Sequence, residues 1–156
     1  MVKQQYSAWW QRGLLQKDIE LAYLFLRLIF GINFFNHGFT RIGNIGGFAN
    51  GMVEQFKDTA VPAELVRVVG AIVPPVELGI GILLILGFAT RGALMAGFIL
   101  MMVLQGGVVI LRQFDTAASQ LIYCIIFFML LATLGFNTYS LDTKFRRSRN
   151  TTSDSV

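Results

Sequence analysis

Long apolar runs separated by short polar breaks dominate the pattern along this chain. Four of them reach the length of about 20 residues that crosses a hydrocarbon core of about 30 Å. They are roughly Ile19–Phe39, Val68–Phe88, Gly92–Leu111 and Ala118–Phe136. Each predicts a membrane-spanning helix, so the expected fold is all-α: an integral membrane four-helix bundle with short amphipathic surface helices. After the first run Gly46–Gly47 breaks the chain, and Phe48, Met52 and Phe56 then recur at helical spacing with Glu54, Lys57 and Asp58 off that face. This reads as a short surface helix ending near Thr59–Pro62, serving either as a cover for the bundle or as a lid over a site. Ahead of the first run, Tyr6, Trp9 and Trp10 lie near Arg12 and Lys17, the composition of an interfacial anchor. The chain therefore divides into an interfacial segment (1–17), a four-helix transmembrane domain (18–137) and a basic cytoplasmic tail (138–156), disordered at its end.

Composition agrees with a bilayer as solvent. Of 156 residues 54% are hydrophobic and only 14% charged, where soluble domains carry about a quarter charged. Mean hydropathy is +0.61. The net charge of +4 sits at the ends of the spans, so lipid headgroups and topology account for it and nucleic acid is not an expected partner. With four spans, Lys3, Arg12, Lys17, Arg91, Lys144, Arg146, Arg147 and Arg149 share one side. Arg41, Lys57, Arg67 and Arg112 take the other, offset by Glu54, Asp58, Glu64 and Asp115. That bias places both termini in the cytoplasm. Cys124 is alone and offers no disulfide, CxxC pair or thiolate metal site.

Polar residues inside the spans carry whatever chemistry there is, because a charge in hydrocarbon costs at least about 2.5–3.5 kcal/mol. Arg27, Gly31, Phe34 and Gly38 form one stripe of the first span; Gly70, Pro74, Glu77 and Gly81 form one stripe of the second. Small residues beside a polar one suit a close helix contact, so each charge should face another helix. Counted from the cytoplasmic ends, Arg27 and Glu77 lie at similar depths. An Arg27–Glu77 ion pair is the expectation, either as a structural lock or as a ligand-binding or proton-relaying site. Pro74 and Pro75 remove backbone N–H groups one turn before Glu77 and predict a kink that could wall a cavity. A second polar group gathers nearer the outer surface from Asn33, Asn36, His37 and Gln105, with Gln120 and Tyr123 as further members. His37 either bonds a loop carbonyl or holds a quinone carbonyl and carries a proton. It is the only histidine, so a multi-histidine metal or haem site is not expected.

The order of these pieces resembles the DoxX family of small membrane proteins. RLIFG (Arg27–Gly31), HGFTR (His37–Arg41), Pro62, PPVELGIG (Pro74–Gly81) and LILGFATR (Leu84–Arg91) follow that family's succession over about residues 20–137. Arg41 departs from the family's usual Lys. The family name comes from a thiosulfate:quinone oxidoreductase whose larger subunit is related to the group. The resemblance implies a multi-pass protein of a prokaryotic inner membrane or internal energy-transducing membrane, with quinone as the candidate ligand and no covalent cofactor. In a quinone-linked redox subunit, Glu77 and His37 would be the catalytic pair, and Arg27, Asn33, Asn36, Arg41 and Gln105 the ligand-binding residues. The competing expectation is a non-catalytic subunit that assembles or stabilises a larger membrane complex, with other subunits or further copies of the chain as partners. A channel is the third reading, and four short helices would need an oligomer to make a pore.

Overall fold

The structure, a computed structural model, describes residues 16–145. The anchor residues Tyr6, Trp9 and Trp10 and the tail cations Arg146, Arg147 and Arg149 lie outside them. All regular structure among the described residues is helical. In chain order it comprises α1 (Gln16–Ile42), α2 (Ile45–Gln55), α3 (Ala63–Leu86), α4 (Thr90–Ile110), α5 (Phe114–Ala132) and a 3-10 turn (Leu134–Phe136), with a final helical turn at 141–145. The four apolar runs coincide with α1, α3, α4 and α5 to within a turn or so. The protein is a membrane protein, and α3, α4 and α5 are each long and apolar enough to cross a bilayer. α1 is the longest, at 27 residues, but Arg27, Asn33, Asn36 and His37 interrupt its apolar run.

The helix ends follow local chemistry. Asp18 in the first turn of α1 and Arg41 in its last turn complement the helix dipole. Asn44 caps α2 by accepting the Gly47 N–H at 2.9 Å. α3 ends in a Schellman motif: Phe88 N–H bonds Leu83 O at 3.0 Å and Gly87 N–H bonds Leu84 O at 3.2 Å. Gly87 sits there at φ +64°, and a side chain on it would also collide with the Arg27 guanidinium. The helix runs unbroken through Pro74 and Pro75.

The long helices form a ring, with α1 against α3, α3 against α4, α4 against α5, and α5 back to α1 through aromatic rings. Phe127 of α5 meets Phe30 and Phe34 of α1 at centroid distances of 4.6 and 5.3 Å. The α1–α3 contact is the tightest. A Cβ at Gly38 would overlap the Leu78 backbone, and one at Gly81 would overlap Phe35, so the two helices touch backbone to backbone. Both predicted stripes are buried here, Arg27–Gly31–Phe34–Gly38 on α1 and Gly70–Pro74–Glu77–Gly81 on α3. Around the ring, large apolar side chains such as Ile29, Ile99 and Met102 (69, 63 and 72% exposed) face outward, as lipid contact requires. α2 lies across α3, with Ala49 buried against Gly70.

Candidate functional site: an ion-paired cavity

The expected Arg27–Glu77 pair does not form. Glu77 instead accepts a hydrogen bond from Arg41 Nη1 at 2.6 Å. The reason is register. Gly31 faces Ile85, Phe35 faces Gly81 and Gly38 faces Leu78. Continuing that antiparallel register, Glu77 falls level with Phe39 and Arg27 level with Ala89. Twelve residues of helix separate the two levels, about 18 Å at about 1.5 Å per residue. Depth counted from approximate span ends could not resolve this offset.

Arg27 serves the opposite end of the ring. It is 2% exposed and donates from Nη2 to the Tyr139 carbonyl at 2.9 Å. The segment after α5 folds back over it. Asn137 donates to Thr90 Oγ1, Thr138 to Glu20 Oε2, and the Asp142 carboxylate accepts from the Ala89 and Thr90 N–H groups at 2.7 and 2.9 Å. Ala89, at φ +47°, makes no side-chain cap of its own, so Asp142 supplies the missing cap of α4 from the far end of the chain. The tail thus begins as packed structure through residue 145, and Arg27 anchors it.

The Arg41–Glu77 pair lines a cavity of about 630 Å³ at the end of the ring that carries the α1–α3 and α4–α5 connections. Glu77, Val73, Val69 and Val66 give one face of α3; Phe34, His37 and Arg41 give one face of α1. α5 contributes Thr116, Gln120 and Tyr123, and α4 contributes Met101, Leu104 and Val108. Phe48, Met52 and Phe56, the predicted face of the surface helix, cover it from α2. The Phe48 ring lies under the Arg41 guanidinium at 4.8 Å, a cation–π contact that ties this cover to the ion pair. Glu77 is nearly fully buried (side chain 6% exposed), whereas Arg41 is 30% exposed. The carboxylate is thus the more desolvated partner. The walls are mainly apolar and reach the outward-facing residues Leu65, Met102, Val103 and Ile110, so the space communicates with the lipid side of the ring.

Of the predicted site residues, His37, Arg41 and Glu77 come together at this cavity. Asn33 joins through the Tyr123 hydroxyl, which donates to its Oδ1 at 3.1 Å. Gln105 is half-buried outside the cavity wall, its Oε1 without a partner among the described residues. Asn36 is exposed on the outer surface of α1, and Arg27 lies at the other end. Gln120 and Tyr123, secondary candidates in the sequence, are cavity residues. Among the described residues no three His, Cys, Asp or Glu side chains gather as a metal would need. The partnership of Arg41 was the piece missed, and the glycine register of α1 against α3 was the signal that could have found it.

No curated protein and no solved structure matches this chain. A family model, DoxX, matches residues 22–112, a stretch that holds Arg27, His37, Arg41 and Glu77 and stops before Gln120 and Tyr123 of α5. Because the match covers more than half of the 156 residues, the chain belongs to the DoxX family.

Proposed function

We propose that this protein is a four-helix transmembrane bundle that holds the head of a quinone in the Arg41–Glu77 cavity and works as a redox-associated membrane subunit. α1 counts as the fourth span because it runs antiparallel along α3, from the level of Gly87 to that of Glu77, and its 27 residues reach about 40 Å, enough for a hydrocarbon core of about 30 Å. The cation bias favours cytoplasmic termini in a prokaryotic inner or internal energy-transducing membrane. The cavity then opens on the outer half of the bilayer.

The observation that carries this reading is the make-up of the cavity. Apolar walls accessible from lipid enclose one cluster of convergent polar groups, at a volume within the range of about 300–1,000 Å³ usual for small-molecule sites. The side chains fit a quinone head: Arg41, His37 and Gln120 offer N–H groups, and the apolar faces of α3 and α4 accept a ring and the start of a tail. A quinone supplies two-electron, two-proton redox chemistry. The chain's part is to exclude water with α2, orient the head, and hold or pass a proton at Glu77 and His37.

Protein extracted in mild detergent should carry quinone, detected by mass spectrometry of an organic extract, or should accelerate quinone reduction by candidate donors. Finding neither overturns the reading. Glu77→Gln refines it: a proton-handling role predicts a folded protein with lost activity, whereas loss of the protein itself assigns the pair to structure.

One observation favours assembly into a larger complex as a second reading. Asn36 is exposed on the outward stripe of α1 that also carries Ile29, Ile32 and Phe39. Polar side chains within a span almost always face protein or water, so another helix is a better neighbour for Asn36 than lipid. Native electrophoresis of gentle extracts that showed only free monomer would remove this reading.

A further inference from the structure

We infer that the cavity holds the reduced, hydroxyl-bearing form of its ligand, a hydroquinone, more tightly than the oxidised quinone; this rests on the quinone-binding reading above. The polar atoms on the inner wall carry the argument. Glu77 is ion-paired, and an ionised carboxylate can only accept hydrogen bonds. Its Oε2 takes the Arg41 N–H at 2.6 Å, while its Oε1 accepts from no described residue, although the side chain is almost buried and faces the cavity. The Tyr123 hydroxyl has committed its proton to Asn33 Oδ1, so it too presents a lone pair to the cavity. Gln120 keeps its carbonyl oxygen inaccessible, so it adds no acceptor to the cavity.

Donors line the cavity as well, and one of them is partly engaged. Arg41 is the strong one, yet one N–H is spent on Glu77 and the face of the guanidinium lies on Phe48. His37 and the Gln120 amide offer further N–H groups. The wall therefore presents donors together with acceptors that still lack a proton. A hydroxyl group accepts from Arg41 and donates to Glu77 alike, whereas a quinone carbonyl only accepts and leaves the Glu77 acceptor unmatched. Sites with unmatched buried polar groups discriminate strongly against the ligand that fails to pair them.

The experiment uses the full chain in lipid nanodiscs with decylubiquinone and decylubiquinol, titrated anaerobically. The hydroquinone should bind at least tenfold more tightly. For a two-electron couple a tenfold preference raises the midpoint potential of the bound ligand by about 30 mV over the free couple, measurable by redox titration. Glu77→Gln, whose amide can donate, should bring the preference below threefold with quinone binding retained. Tyr123→Phe leaves the ion pair intact and removes one acceptor; it should lower the preference severalfold even if the Glu77 variant does not fold. Equal affinities, or tighter binding of the quinone, overturn this inference and leave the proposed function standing. Binding of neither form overturns both.

Discussion

Arg41 and Glu77 share one hydrogen bond, yet removing either should not cost the same. Glu77 is the desolvated member, so Arg41→Leu strands a buried carboxylate and should cost about 3–5 kcal/mol. Glu77→Gln leaves a guanidinium that can swing toward water along its stem, and the loss should be nearer about 1–3 kcal/mol. Unfolding in detergent micelles measures both, and the double variant Arg41→Leu/Glu77→Leu should recover much of the Arg41 loss. Equal single losses would mean that the carboxylate reaches water by a route the structure does not contain. A parallel contrast concerns glycines. Gly38→Ala drives a methyl into the Leu78 backbone and should destabilise by about 1–3 kcal/mol, whereas Gly106→Ala meets nothing within 4 Å and should be close to neutral. The burial of Arg27 and Glu77 on facing stripes was legible from periodicity, because a 3.6-residue repeat decides which way a side chain points. Their partners were not. Partner choice depends on the axial offset between two helices, and small residues fix that offset only when read as matched pairs.

Helix positions were readable because the bilayer imposes both length and apolarity on each long element. The amphipathic face of α2 was readable too, since Phe48, Met52 and Phe56 keep one side of the helix; that this face covers a cavity emerges only once α4 and α5 are in place. Least legible was the fold-back over Arg27. Residues 138–145 read as a polar tail, and their order comes from contacts to α1 and α4 that lie far away in sequence. Asp142 is the clearest case. Its two carboxylate oxygens satisfy the first N–H groups of α4, where Ala89 and Thr90 provide no cap. Asp142→Ala should therefore cost about 1–2 kcal/mol, the range for losing a helix N-cap. Hydrogen exchange places the effect: amides at the start of α4 should lose protection while those of α2 and the cavity end keep theirs. Loss of protection spread evenly over all helices would show that Asp142 supports the whole ring and not one helix end.

The two ends of the ring differ in chemistry, and this gives orientation a consequence for the cavity. By chain order eight cations (Lys3, Arg12, Lys17, Arg91, Lys144, Arg146, Arg147 and Arg149) go with the end where Arg27 anchors the returning chain, and four (Arg41, Lys57, Arg67 and Arg112) with the cavity end. Excess positive charge is retained in the cytoplasm, so the cavity should face outward. Single cysteines on a Cys124→Ser background test this with a membrane-impermeant maleimide on intact cells. Lys57→Cys and Arg112→Cys should label at once, and Arg91→Cys and Lys144→Cys only after permeabilisation; all four parent residues are exposed, so access to the side chain does not limit the reaction. Labelling of all four in intact cells would break the four-span reading, because α1 and α3 could not then cross together. A reversed pattern would keep the four spans and turn the cavity toward the cytoplasm. Protons held at Glu77 and His37 would then exchange with the cell interior, and the clustered cations at the Arg27 end would not be what orients this chain.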